Sequence, residues 1–158
     1  MTERDISRRS DWLTTIRRYL LASAAGHLVW EIAQLPLYTI WRTGTTRDLA
    51  TAVVHCTLGD LSIALVTLSL ALVVVGSTEW PAQQFSAVLA TVVILSVGYT
   101  VYSEYLNTTV RQAWAYGPLM PTLPSIGTGL SPLLQWMVVP SLAFVWSGRT
   151  RPRALPQR

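Results

Sequence analysis

The sequence predicts an all-helical integral membrane protein. The expected form is a four-transmembrane-helix bundle, with a short interfacial helix before it and a Pro/Gly-rich loop on its outer face. Three observations carry that expectation. Apolar stretches at 19–41, 50–75, 85–107 and 131–147 fill most of the 158 residues. Charged residues make up only 13% of the chain, against about 25% in soluble domains. None falls within 61–78 or 80–103, where a water-soluble helix would need a charged face. One domain accounts for this length.

Residues 1–18 form a basic tail. Ser10 is a candidate N-cap, and Trp12, Leu13 and Ile16 share a face, as in a short helix lying in the membrane interface after a disordered start. Ala22-Ser23-Ala24 resembles a signal cleavage site. Only Tyr19-Leu20-Leu21 separates it from Arg18, short of the ~7–15 apolar residues a signal requires, so the first span is expected to be retained. That span, Tyr19–Trp41, has 23 residues, or ~34 Å of helix, enough for a ~30 Å hydrocarbon core. Pro36 has no N–H, which predicts a kink beside an unpaired Ile32 carbonyl. Arg42–Asp48 reads as a polar turn. The second span, 50–75, is long enough to tilt. Ser77–Pro81 makes the next turn, the third span covers 85–107, and the fourth, 131–147, is short; Pro140 within it predicts a second kink. Between the last two spans, Pro118, Pro121 and Pro124 recur every third residue, which predicts an extended, polyproline-like run. That run is too apolar for a free loop and is expected to lie across the mouth of the bundle, either as a lid or as an interfacial loop packed on headgroups. A second basic tail, 148–158, closes the chain.

Orientation follows from charge. Nine of the twelve arginines lie in the two tails, and only Arg42, Arg47 and Arg111 fall between spans on the other side. The positive-inside rule then predicts both termini in the cytoplasm. Arg without Lys is a composition of GC-rich, bacterial genomes, so the expected location is a bacterial inner membrane, with the lipid bilayer as partner. Basic tails beside four spans report topology, and no nucleic acid partner is expected. Trp12, Tyr19, Trp80 and Trp146 would mark the inner interface, and Tyr38, Trp41, Tyr105, Trp114 and Tyr116 the outer one. Cys56 is the single cysteine, so no intramolecular disulfide forms.

Polar residues within the spans locate a candidate site. A charge at bilayer depth costs ~2.5–3.5 kcal/mol on insertion scales, yet His27, Glu31, Gln34, His55, Asp60, Glu104, Asn107 and Gln135 lie inside or at the edges of the spans. With the predicted orientation they share one depth, the outer half. The inner halves read as nearly pure Leu, Val, Ala and Ile. His27, Glu31, Gln34 and Tyr38 follow i, i+4, i+7, i+11, and so do Thr100, Glu104, Asn107 and Arg111; each set is one helix stripe. Stripes facing one another make a polar pocket.

Within that pocket, Glu31, His55, Asp60 and Glu104 are the catalytic candidates, because carboxyls beside an imidazole are the groups acid–base chemistry uses. Gln34, Tyr38, Asn107, Arg111 and Gln135 are the ligand-binding candidates. His27 and Glu31, at i and i+4, could chelate a divalent metal with His55 and Asp60, although no recognised zinc motif is present. Haem between His27 and His55 is disfavoured by their different depths. No phosphate loop, dinucleotide fingerprint or nucleophile elbow occurs.

The expected function is that of a small membrane protein whose outer-leaflet pocket binds or acts on a metal ion or a small amphipathic ligand. One alternative is a proton-coupled transporter using Glu31 and Asp60. It needs a path through the apolar inner halves, which a homo-oligomer could supply. The other is an accessory subunit whose polar residues join helices.

Overall fold

The computed structural model describes residues 3–148, with side chains from Trp12 onward. It has five helices: α1 (Glu3–Gln34), α2 (Ile40–Thr43), α3 (Thr46–Val75), α4 (Phe85–Tyr105) and α5 (Leu130–Gly148). Among the described residues there is no strand, only the isolated bridges Tyr38–Tyr116 and Thr122–Gly129. Three segments are long and apolar enough to cross a membrane: Thr46–Val75, Phe85–Val110 and Leu130–Gly148. Large side chains such as Val73, Val74, Ile94 and Leu142 point outward from them, as lipid-facing helices require.

The first apolar segment differs from expectation. It is not one helix from 19 to 41, because α1 stops at Gln34 and a 3-10 turn, Leu35–Leu37, takes over. Pro36 sits in that turn, and where a kink was expected the helix ends. Tyr38 is extended and its N–H bonds back to Leu35 O at 3.0 Å. The polar turn at 42–48 is likewise partly helical, with α2 preceding it. At the other end α1 already runs from Glu3, so there is no separate interfacial helix and Ser10 is not its cap. Residues 1–2 and the tail from 149 onward, which carries four of the topology-setting arginines, lie outside the described residues.

α3 begins with reciprocal capping. Thr45 Oγ1 accepts from Asp48 N at 3.3 Å, and Asp48 Oδ2 accepts from Thr45 N at 2.9 Å and from Thr45 Oγ1 at 2.7 Å. These bonds, the backbone one foremost, hold the exposed Asp48 carboxyl below the usual aspartate range. α4 ends in a π turn, Leu106–Val110. There Arg111 N reaches Leu106 O at 2.8 Å, while Asn107 Nδ2 donates to Ser103 O and Thr108 Oγ1 to Glu104 O. π turns of this kind recur at functional sites.

The four long helices close a ring in the order α1, α3, α4, α5, each packed on the next and α5 back on α1. α1 and α5 pack closely at Gly26, where a Cβ would stand 2.8 Å from Val139 Cγ1. One end of the ring is an aromatic core. Tyr19 packs edge-on against Phe144 at 4.7 Å, Phe85 against Phe144 at 5.3 Å and Trp12 against Trp80 at 5.1 Å. Tyr19 and Trp80 are therefore buried core residues and not interface markers; Trp146 is exposed.

At the other end, segment 111–130 folds over the ring. It is not an extended run. Gly117 N donates to Leu37 O at 2.7 Å, Thr39 N to Ala115 O at 3.0 Å, and a small hairpin closes through Leu123 N to Thr128 O at 2.9 Å. Gly117 suits this close approach, since a Cβ would lie 3.2 Å from the Leu37 carbonyl oxygen.

Candidate functional site

The inward stripe of α1 brings His27, Glu31 and Gln34 against Asp60 of α3 and Gln135 of α5. All five are buried, and Gln135 is their hub. Its Nε2 lies 3.0 Å from His27 Nδ1, 3.0 Å from Glu31 Oε1 and 2.9 Å from Asp60 Oδ2. A primary amide has two hydrogens, so three acceptors compete for two donors. His27 Nδ1 is also 3.4 Å from Asp60 Oδ2; without a proton it accepts from the Gln135 amide, and with one it faces the Asp60 carboxyl. Behind Gln135, the His27 ring lies on Trp136 with centroids 4.5 Å apart.

Gln34 extends the network. Its Nε2 donates to Glu31 Oε1 at 2.7 Å and, at 3.4 Å, to Gln135 Oε1. Its Oε1 accepts from Ser131 Oγ at 2.8 Å, which in turn accepts from Trp30 Nε1 at 3.1 Å. A continuous chain thus runs from the rim of α1 to the buried carboxyls.

A second polar pole lies nearer the mouth. Glu104 of α4 accepts a hydrogen bond from the Tyr116 hydroxyl, which itself accepts from Gly129 N at 2.9 Å. Tyr116 stacks on Tyr38 at 5.7 Å. Burial, and then the hydrogen bond to the Glu104 carboxylate, push the Tyr116 phenol above its ordinary range. Two ends of the covering segment are therefore pinned to α4 and to the segment after α1.

Between the two poles opens a cavity of about 1080 Å³. Glu31, Gln34, Tyr38, His55, Asp60, Glu104, Asn107, Arg111 and Gln135 all line it. His27 does not, because it lies beneath the floor with its side chain fully buried. Trp114, Trp136, Thr100 and Ser103 complete much of the wall.

The four-residue metal set does not form. Among the described residues no three His, Cys, Asp or Glu side chains converge to hold an ion. Two physical reasons account for this. His55 precedes Asp60 by five residues, about 140° around the helix, so it lies exposed on the cavity wall while Asp60 turns inward. The Gln135 amide fills the point between His27, Glu31 and Asp60 where an ion would sit. For the same reason Glu31 and His55 are not partners.

Sequence reasoning missed Ser131, Trp30 and Tyr116 as members of these networks. Ser131 had a usable signal, since it stands four residues before Gln135 on the same face of α5. Tyr116 had none, because its role depends on how a loop without helical period folds back. The inner halves are also less apolar than they read: Tyr19, Ser23, Thr67, Ser96 and Ser147 are all buried there, with Ser96 Oγ donating to Thr67 Oγ1 at 3.2 Å across α3 and α4.

No protein-family model, curated protein or solved structure matches this chain.

Proposed function

We propose that this chain is an integral membrane protein of four crossings whose cavity binds a small amphipathic ligand entering from one face of the bilayer. In this reading α1 makes the fourth crossing, both termini lie in the cytoplasm of a bacterial cell, and the cavity opens outward. One observation carries the proposal. Nine polar residues picked out by depth and helix face line one cavity of about 1080 Å³, large enough for a drug-sized molecule. Its wall mixes carboxyls, amides and the Trp114 and Trp136 rings, so a ligand with a polar head and an apolar body fits it. The donor geometry argues for an organic ligand over a metal ion.

The test uses the tryptophans already in the wall. The full chain in nanodiscs is titrated with hexanol, hexylamine and hexanoate while tryptophan fluorescence is followed. At least one probe is expected to change the signal saturably. Ala52→Phe, placed on the cavity wall, is expected to remove the response by filling the space. A linear response to all three probes, or one untouched by Ala52→Phe, overturns the reading.

A further inference from the structure

Polar side chains continue below the cavity floor. Thr15, Tyr19, Ser23, His27 and Glu31 recur at every fourth residue of α1, and all five are buried. Tyr19 Oη, Ser23 Oγ and His27 Nε2 lie within the bundle without a hydrogen bond of regular geometry in the protein, although the Tyr19 hydroxyl and Ser23 stand close enough to interact directly. Folded proteins leave few such atoms unpaired, and three in succession on one stripe call for a common explanation.

Spacing supplies it. Four helical residues rise about 6 Å, and two hydrogen bonds through one water molecule span about 5.6 Å. One water under His27 Nε2 would reach toward Ser23, and Ser23 stands beside the Tyr19 hydroxyl, so a short water-linked line would satisfy these atoms, which is the usual role of buried water at polar sites. Every member can pass a proton, because hydroxyls and imidazole both donate and accept. The upper end of the line is connected, since His27 Nδ1 faces Asp60 and Gln135 at the cavity floor.

We propose that this stripe is a water-linked proton path, so that the protein conducts protons between the cavity and the opposite end of the bundle. A proton from the Asp60 carboxyl binds His27 Nδ1, and the ring releases its Nε2 proton to the water below. That water passes a proton to Ser23, and the transfer repeats through Tyr19 to Thr15. The cavity returns a proton to Asp60 and Thr15 hands one to solvent at the opposite end, while each hydroxyl gives up one proton as it gains another; the His27 ring ends as its Nδ1–H tautomer and resets by tautomer exchange before the next transfer, with no oxidant or reductant needed. The proposal rests on the four-crossing arrangement, and is independent of what the cavity binds.

The full chain is reconstituted in liposomes containing pyranine, and a potassium diffusion potential drives protons inward. Acidification is expected to be at least tenfold faster than in protein-free vesicles. Ser23→Ala, which removes the hydroxyl with little change of volume, is expected to bring the rate within twofold of the protein-free value, with Ser23→Cys as the second, closely sized variant. Ser23→Thr and the outward-facing Ser69→Ala are expected to conduct like the wild type. Wild-type vesicles no faster than protein-free ones, or Ser23→Ala vesicles as fast as wild type, overturn the path. The arrangement is read separately, by impermeant-thiol labelling of Thr45→Cys and Thr78→Cys in a Cys56→Ser background. Labelling from the same side overturns the four-crossing arrangement and the path with it; opposite sides with no flux overturn the path alone.

Discussion

The two ends of the helix ring are built by different rules. At the Tyr19 end, Phe144, Phe85, Trp80 and Trp12 interlock through edge-to-face rings, and shape complementarity holds the helices together. At the cavity end, α1, α3 and α5 meet through hydrogen bonds centred on Gln135, and the helices stand far enough apart to leave about 1080 Å³ open. The comparison separates stability from function. An end closed by rings has nothing to bind with, while an end held by donors and acceptors can exchange a partner side chain for a ligand.

The largest effect is expected where packing alone is removed. Phe144→Ala takes away a fully buried ring that touches both Tyr19 and Phe85. It should cost about 3–5 kcal/mol, read from unfolding in mixed detergent micelles, with cavity binding retained wherever the variant remains folded. If that loss stays below about 1 kcal/mol, the aromatic end is not the structural anchor.

Gln135→Leu tests the other end. It removes the amide shared by His27, Glu31 and Asp60 and leaves buried acceptors unpaired, at a cost of about 1–3 kcal/mol. Unlike the core variant, it is expected to abolish ligand-dependent fluorescence change while the bundle stays folded. Binding that survives this substitution would place the ligand away from the carboxyl floor.

A smaller effect is expected from Tyr116→Phe. The bond to Glu104 and the one from Gly129 are both lost, for about 1 kcal/mol. Faster proteolysis within 111–130 at unchanged bundle stability is the expected signature of an unpinned cover. Equal cleavage rates in the two proteins would show that the Tyr38–Tyr116 bridge holds it alone.

The smallest effect concerns pH at the start of α3. Asp48 has a depressed folded-state pKa, from its Thr45 bonds. A depressed carboxyl contributes stability above its unfolded value, near pH 4, and loses it as pH falls through the folded value. Asp48→Asn is therefore expected to flatten the acid limb of the unfolding curve below about pH 4 and to leave the neutral region nearly unchanged. An unaltered acid limb would mean that the capping box does not contribute.

Much of this was legible in the residues. Charge-free stretches longer than 18 residues can hardly be anything but lipid-facing helix, and three of the four apolar segments do form helices of crossing length. The residues now lining the cavity were chosen by combining depth with a helical period, and both are properties of spacing. What spacing could not show was where a helix would stop. Pro36 is compatible with a kink or an end, and the end was decided by partners more than 70 residues away, Ala115 and Gly117, which take up the backbone groups freed around Leu37 and Thr39.

The sequence by itself determined the helical, membrane-compatible class of the protein and the helix faces on which its polar groups fall, because apolar length and helical period are both local properties of spacing. Tertiary structure alone decided which of those groups meet. His55 and Asp60 lie five residues apart on one helix, and only the packing of α1 and α5 against it makes one an exposed wall residue and the other a buried partner of Gln135. Periodicity places residues on faces. Which face looks at which depends on helix order and on a loop that folds back, and these follow from contacts between residues that no local pattern connects.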